Sequence, residues 1–146
     1  MKRCISGLAA LLLLGGLISA CGGKQEVNFS QLVSRPDKYN GQVVTVECFY
    51  FDAFEMMALC GSLGPSTIMP GNLAPQGELI WLEGGLPKAI YDKLHTQRVN
   101  LASGYPEHYG KVRITGRFQS GGQFGHLGGY KYQLTIAEVS LLDWSP

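Results

Sequence analysis

Apolar and polar side chains alternate along five segments of the chain, and this alternation predicts five β-strands. In residues 42–52, the side chains of Val44, Val46, Cys48 and Tyr50 fall on one face. A side-chain period of two residues is typical of a strand that buries one face. The other predicted strands are residues 55–60, 78–83, 111–118 and 130–142.

Two helices are predicted outside the strands. The first spans residues 28–35, with a cap at Asn28 or Ser30, and it ends before Pro36 because proline disfavours helix in the preceding residue. The second spans residues 87–97, with a proline in its first turn and apolar residues four apart.

Residues 61–77, "GSLGPSTIMPGNLAPQG", are crowded with glycine and proline. Such a segment predicts a long loop without regular structure.

The order strand, strand, strand, helix, strand, strand is that of the OB-fold. The segments "RPDKYNGQVVTVECFYF" and "GKVRITGRFQ" also resemble the openings of OB strands in small exported bacterial proteins. This resemblance implies a mainly β domain over residues 28–146. It would be a five-stranded OB-like Greek-key barrel with one helix between strands 3 and 4 and a short N-terminal helix.

The N-terminus has the features of an export signal. Lys2 and Arg3 precede an apolar stretch, residues 8–18, which is too short to span a membrane as a helix. The following residues "ISAC" resemble the lipobox of bacterial lipoproteins, in which an aliphatic residue and two small ones precede a cysteine. The competing interpretation is an ordinary secretory signal in which Cys21 has no lipid.

The lipoprotein resemblance implies that residues 1–20 are a signal peptide and that Cys21 carries acyl chains. Residues 21–27 would then be the lipidated cysteine and a short tether. Two or three chains anchor a protein stably to a bilayer. The residue after the cysteine is Gly22 rather than aspartate. This implies a cell-envelope location, at the outer membrane facing the periplasm if the organism is Gram-negative.

The charge of the chain argues against a nucleic-acid partner. The 146 residues include 12 basic and 11 acidic side chains. Removing Lys2 and Arg3 with the signal peptide leaves 10 basic residues against 11 acidic ones, a net charge of −1. A domain without a positive field has little to attract it to a polyanion.

Two cysteines, Cys48 and Cys60, remain in the predicted domain. A hairpin with a three-residue turn at residues 53–55 would place them on directly opposed positions, as a cross-strand disulfide requires. The alternative is two buried free thiols, since reduced cysteine behaves as a small hydrophobic residue.

The outward faces of the last two strands carry a basic stripe of Arg113, Arg117 and Lys131. The glycine-rich segment "QSGGQFGHLGGY" between these strands adds Phe124 and His126. We expect these five residues to form a ligand face for an anionic partner. The alternative is a solvated strand face joined by a loose connection.

No catalytic or metal-binding motif is present. The histidines lack ligand spacing, and no serine stands in Gly-x-Ser-x-Gly. We therefore expect neither enzymatic activity nor a cofactor. Thioethers suit copper(I), so Met56, Met57 and Met69 with His126 could form a copper site.

The sequence thus predicts a membrane-anchored envelope lipoprotein that acts as a non-catalytic binding or assembly module. Its partners would be the lipid bilayer, through acylated Cys21, and an envelope protein or anionic glycan. The alternative function is a small-ligand or copper carrier in the envelope.

Overall fold

The computed structural model describes residues 24–98 and 104–146. The predicted signal peptide and the predicted lipid attachment at Cys21 therefore lie outside the described residues. Within the described part of the chain, no helix is both long enough and apolar enough to cross a membrane.

Strands make up most of the described chain, and the helices are short. The strands are β1 (Gln25–Glu26), β2 (Val43–Ala53), β3 (Met56–Pro65), β4 (Leu73–Glu83), β5 (His95–Gln97), β6 (Glu107–Phe124) and β7 (Tyr130–Leu141). The helices are α1 (Phe29–Ser34), α2 (Pro36–Tyr39) and α3 (Lys88–Tyr91). A 3-10 turn, His126–Gly128, lies between β6 and β7.

All seven strands belong to one sheet, and five of them pair in a closed cycle. The cycle runs β2, β3, β4, β7, β6 and back to β2, while β1 and β5 extend it at β2 and β6. The pairs β1–β2 and β4–β7 are parallel, and the others are antiparallel. The prediction of a mainly β fold with these five main strands is confirmed.

The hydrophobic core lies inside this cycle. The alternation in the sequence predicted the inward face correctly, because apolar side chains buried inside alternate with polar ones outside. The buried side chains of β2 and β6 that join the core are Val44, Val46, Cys48, Tyr50, Val112, Ile114 and Phe118.

Helix α1 begins where the sequence predicted. The Asn28 side chain accepts a hydrogen bond of 2.9 Å from the N–H of Gln31, which caps the helix. The second predicted helix is wrong in length, since α3 is a single turn and β5 occupies the end of the predicted range. Leu94 follows this helical turn, and its buried side chain packs against Gly110. A Cβ on Gly110 would lie 2.8 Å from Leu94 Cδ2.

The prediction of an irregular loop is wrong for most of residues 61–77. Strands β3 and β4 continue through this segment and pair with each other from Ser62 with Gln76 to Pro65 with Leu73. We call this extension of the hairpin, residues 61–77, the arm. Strand propensity depends strongly on context, so the glycines and prolines of this segment lower its preference for a strand without preventing the pairing.

Side-chain hydrogen bonds attach the arm to β5 and to the residue that follows it. The carboxamide of Gln97 accepts a hydrogen bond from the N–H of Leu73 (3.0 Å) and donates one to its carbonyl oxygen (2.6 Å). It therefore takes the place of a neighbouring strand at this position. Asn72 also donates to the carbonyl oxygen of Arg98 at 2.9 Å.

The folded domain begins earlier than predicted. Residues 21–27 are predicted to be the lipidated cysteine and a short tether, but β1 within this range pairs in parallel with Val44 and Thr45 of β2. The N–H of Val27 donates to the carbonyl oxygen of Thr45 at 2.9 Å, and the Val27 side chain is buried. Backbone pairing and burial thus fix the chain to the sheet before residue 28.

Candidate functional site

The predicted basic stripe is paired with acidic and carbonyl groups. Arg113 of β6 contacts the carboxylates of Glu26 in β1 and Glu47 in β2, the latter at 3.1 Å. Arg117 donates to the carbonyl oxygen of Gly41 at 2.6 Å. Both arginines lie on the outer face, as predicted, but they link strands of the domain together.

Lys131 of β7 is more exposed than the two arginines. Its Nζ lies 3.7 Å from Oε1 of Glu78, and its side chain is 74% exposed. An exposed ion pair of this length contributes about 0–1 kcal/mol. An anionic ligand would therefore compete with a carboxylate at Arg113 and at Lys131, which weakens the expected preference for anions.

A groove of about 420 Å³ opens beside Lys131, between β4 and β7. These strands pair between Trp81–Glu83 and Gln133–Thr135, and their residues N-terminal to this pairing are separated. The residues that line the groove are Gly77, Glu78, Leu79, Gly129, Tyr130 and Lys131. Because Glu78 and Lys131 carry opposite charges, the groove favours neither anions nor cations.

The glycine-rich connection between β6 and β7 is ordered by tight packing at Gly125. This residue has φ +67° and ψ −159°, a conformation available almost only to glycine. A Cβ here would lie 2.5 Å from Cδ2 of Trp81 and 2.8 Å from Cδ2 of Tyr130. The connection is therefore packed against one aromatic ring of β4 and one of β7. At Gly125 it is not the loose loop that was the alternative prediction.

His126 follows Gly125 and reaches the turn between β2 and β3. Its Nε2 lies 3.3 Å from Oε2 of Glu55. This contact joins two connections that are far apart in the sequence. Phe124, the other predicted ligand residue of this segment, packs within the loop, where a Cβ on Gly122 would lie 2.6 Å from its ring.

Two exposed apolar side chains flank the contact between His126 and Glu55. Phe54 is 62% exposed and Leu127 is 93% exposed. Glu55 and Leu127 both have positive φ angles, +59° and +52°, which non-glycine residues seldom adopt. We call Phe54, Glu55, His126 and Leu127 the loop junction.

The loop junction has only a weak signal in the sequence. Leu127 stands among glycines and polar residues in "GHLGG", where a buried role is hard to assign. Phe54 and Glu55 lie in a turn that we predicted to have three residues but that has two. The structure brings His126 to this junction and leaves Arg113 and Arg117 in ion pairs and hydrogen bonds elsewhere.

Cys48 and Cys60 are free and buried. With the two-residue turn, Cys60 lies opposite Phe49 rather than opposite Cys48. A shift of one residue moves every side chain of a strand to the other face. The Cys48 thiol therefore faces the core, the Cys60 thiol faces outward under other side chains, and the predicted cross-strand geometry for a disulfide is absent.

A hydrogen-bonded cluster that the sequence did not predict lies at the end of β2. Tyr91 donates to Oδ2 of Asp52 at 2.6 Å, and its oxygen lies 2.8 Å from Nδ1 of His108. Because the single tyrosine proton goes to Asp52, His108 must donate from Nδ1. The pKa of Tyr91 is raised above its ordinary value, mainly by burial and then by Asp52. This cluster fastens α3 to β2 and β6.

Histidine, cysteine and acidic side chains form no metal-binding cluster of three or more within residues 24–98 and 104–146. Of the residues considered for copper, Met56 and Met57 both lie in β3, whereas Met69 and His126 lie in two other parts of the fold. Met69 is in the turn of the arm, bonded through its N–H to Ser66 at 3.0 Å, whereas His126 contacts Glu55.

Comparisons with known proteins identify no relative. No protein-family model, no curated protein and no solved structure matches this chain.

Proposed function

We propose that this protein is a lipid-anchored, non-catalytic binding module of the bacterial cell envelope. In this proposal an OB-type domain binds another envelope protein through the loop junction, and acylated Cys21 attaches the domain to the membrane. The lipobox-like residues "ISAC" support the anchor.

The strand pairing supports the OB-type assignment. An OB-fold is a five-stranded Greek-key barrel that binds ligands with the loops after its first and fourth strands. The cycle of β2, β3, β4, β7 and β6 has five strands, and α3 lies between the third and fourth of them in chain order. The loop junction is formed by the connections after the first and fourth strands of this cycle.

The observation that carries the choice of partner is the exposure of Phe54 and Leu127. Phe54 keeps this exposure although its ring lies edge-on to that of Tyr105, with centroids 6.4 Å apart. Large exposed apolar side chains are typical of protein interfaces, where a few such residues supply most of the binding energy. The basic residues that would favour an anionic glycan are already paired with Glu26, Glu47 and Glu78. A protein partner therefore fits this surface better than a polyanion.

Site-specific photocrosslinking in intact cells tests this function. A photoreactive amino acid at Phe54 or Leu127 should crosslink to one envelope protein. The same amino acid at Ile68 is the control, because Ile68 is 77% exposed but lies on the arm. Equal crosslinking at all three positions, or none at the junction, would contradict the proposed binding surface.

A matched pair of variants gives an independent test. Phe54→Ser with Leu127→Ser should abolish recovery of the crosslinked protein, whereas Ile68→Ser should leave it unchanged. Thermal unfolding of both variants shows whether the domain remains folded. Full recovery with the double variant would exclude the junction.

A further inference from the structure

We infer that one face of the domain lies against the lipid bilayer. This face is the groove between the β4–α3 turn and β7. This inference rests on the proposed lipid attachment at Cys21. We call this face the membrane face; it comprises Leu86, Pro87, Ile136, Ala137, Glu138 and Val139.

The membrane face is a shallow apolar groove of about 320 Å³. Gly84 and Gly85, with φ +98° and +66°, turn the chain after β4 and bring Leu86 and Pro87 beside β7. The approach is close, since a Cβ on Gly84 would lie 3.1 Å from Cγ2 of Ile136.

An irregularity in β7 forms the other side of the groove. Thr115 pairs with Glu138 and Gly116 pairs with Ile136, so Ala137 is an extra residue without a partner on β6. Such a bulge bends a strand and redirects its side chains. Ala137 and Pro87 are exposed, while Leu86, Ile136 and Val139 are half-buried against the core.

The groove carries one charged side chain among its lining residues, and that charge is neutralised. Nζ of Lys24 lies 2.6 Å from both carboxylate oxygens of Glu138. The apolar groups can therefore approach a bilayer without bringing an unpaired carboxylate to it. Lys88, which follows Pro87, is exposed beside the groove and is available to lipid phosphates in exchange for Asp92.

The length of chain between Lys24 and Cys21 supports a bilayer as the occupant. Strand β1 and the ion pair to Glu138 hold Lys24 at this side of the domain. Three residue steps span at most about 10 Å, even fully extended. A lipid attached at Cys21 therefore holds the headgroups within about that distance of Lys24, and the apolar groove is next to this point.

Fluorescence quenching by spin-labelled lipids tests the membrane face. A cysteine at Ala137 is labelled with a nitrobenzoxadiazole dye, and the mature lipidated protein is placed in phospholipid vesicles that contain nitroxide lipids. Cys4 is removed with the signal peptide, Cys48 and Cys60 are buried, and a lipidated Cys21 has no free thiol, so the dye reacts with the new cysteine. Pro87→Cys is a second reporter.

Lys131→Cys is the matched control. It is exposed on the same strand, six residues from Ala137, or about 20 Å along β7. Nitroxide lipids should quench the dye at Ala137 and Pro87 several-fold more than the dye at Lys131. Equal quenching, or stronger quenching at Lys131, would overturn the membrane face.

The mass of the same protein separates this inference from the proposed function. An acylated protein without preferential quenching overturns the membrane face and leaves the anchor in place. A protein without acyl chains overturns the anchor and, with it, this inference. Preferential quenching that disappears when residues 1–21 are deleted, which removes Cys4 and the apolar stretch together with Cys21, supports both.

Discussion

Thr45 and Thr115 face each other across β2 and β6, and their hydroxyl oxygens are 2.8 Å apart. Both side chains are buried although they point away from the hydrophobic core. Each hydroxyl satisfies the other, so the outer face of the sheet contains a small buried polar pair.

Thr45→Val should destabilise the domain because it leaves the Thr115 hydroxyl buried without its partner. A buried group that loses its hydrogen bond costs about 1–3 kcal/mol. The double variant Thr45→Val with Thr115→Val should regain most of this loss, since both polar groups are then removed. Urea unfolding measures the free energies. A double variant that is less stable than the single one would contradict the pairing.

Gly125→Ala should destabilise the domain more than Gly121→Ala. Both glycines have positive φ, so alanine is strained at either position by about 1–3 kcal/mol. At Gly125 the new methyl group also collides with Trp81 and Tyr130, whereas nothing lies within 4 Å at Gly121. Overpacking adds about 1–3 kcal/mol. Equal losses in thermal unfolding would show that the ring contacts are absent.

The stability of the domain should fall at alkaline pH because of Cys60. Burial raises the pKa of this thiol from 9.0 to about 12. Between these two values the unfolded chain loses the proton and the folded domain keeps it, so each unit of pH favours unfolding by about 1.4 kcal/mol. This stability is fully present below pH 9.0.

Cys60→Ala isolates this effect. Urea unfolding at several pH values under reducing conditions should give a steeper decline for the native protein than for the variant above pH 9.0. Below that value the two curves should run parallel. Parallel curves across the whole range would show that Cys60 is exposed or oxidised.

Tyr91→Phe should loosen the attachment of α3. The change removes the hydroxyl that donates to Asp52 and accepts from His108. Hydrogen bonds to charged groups contribute about 1.5–3 kcal/mol. Tyr132→Phe is the control, because its hydroxyl makes only a long bond, 3.5 Å, to a backbone carbonyl. Similar losses for both variants in urea unfolding would contradict the importance of the cluster.

Gln97→Ala should free the arm from β5. It removes both hydrogen bonds to the backbone of Leu73, so amide hydrogen exchange in residues 61–77 should accelerate while the core strands keep their protection. Gln76→Ala is the control, since the Gln76 side chain donates its hydrogen bond within the arm, to the carbonyl oxygen of Ala74. Unchanged exchange in Gln97→Ala would show that the arm is held by other contacts.

Alternation predicted the parts of the fold that depend on one strand alone. The inward face of β2 and of β6 could be identified because burial on one side imposes a period of two on each strand. Arg113 and Arg117 were placed correctly on the outer face for the same reason. Their partners are Glu26 in β1, Glu47 in β2 and Gly41 in the turn before β2, and they could not be found by inspecting β6.

The remaining differences arise where backbone geometry or pairing overrides residue type. The turn after β2 has two residues because Glu55 adopts a positive φ, which the sequence does not reveal. This moved Cys60 by one position and changed the face it occupies. Glycine and proline in the arm indicated a loop, but strand propensity depends on context, and pairing between adjacent segments of one hairpin prevailed here.

The pairing of β2 with β6 also determines when the sheet can be completed during folding. Thr45 and Thr115 are 70 residues apart in the chain. The β2–β3 hairpin can form early, whereas the other edge of β2 must wait until β6 has been synthesised and brought back to it. Folds dominated by such distant contacts take milliseconds to seconds to form. A chain delivered N-terminus first therefore exposes an unpaired, apolar β2 edge throughout this interval, which is when it most needs protection from aggregation.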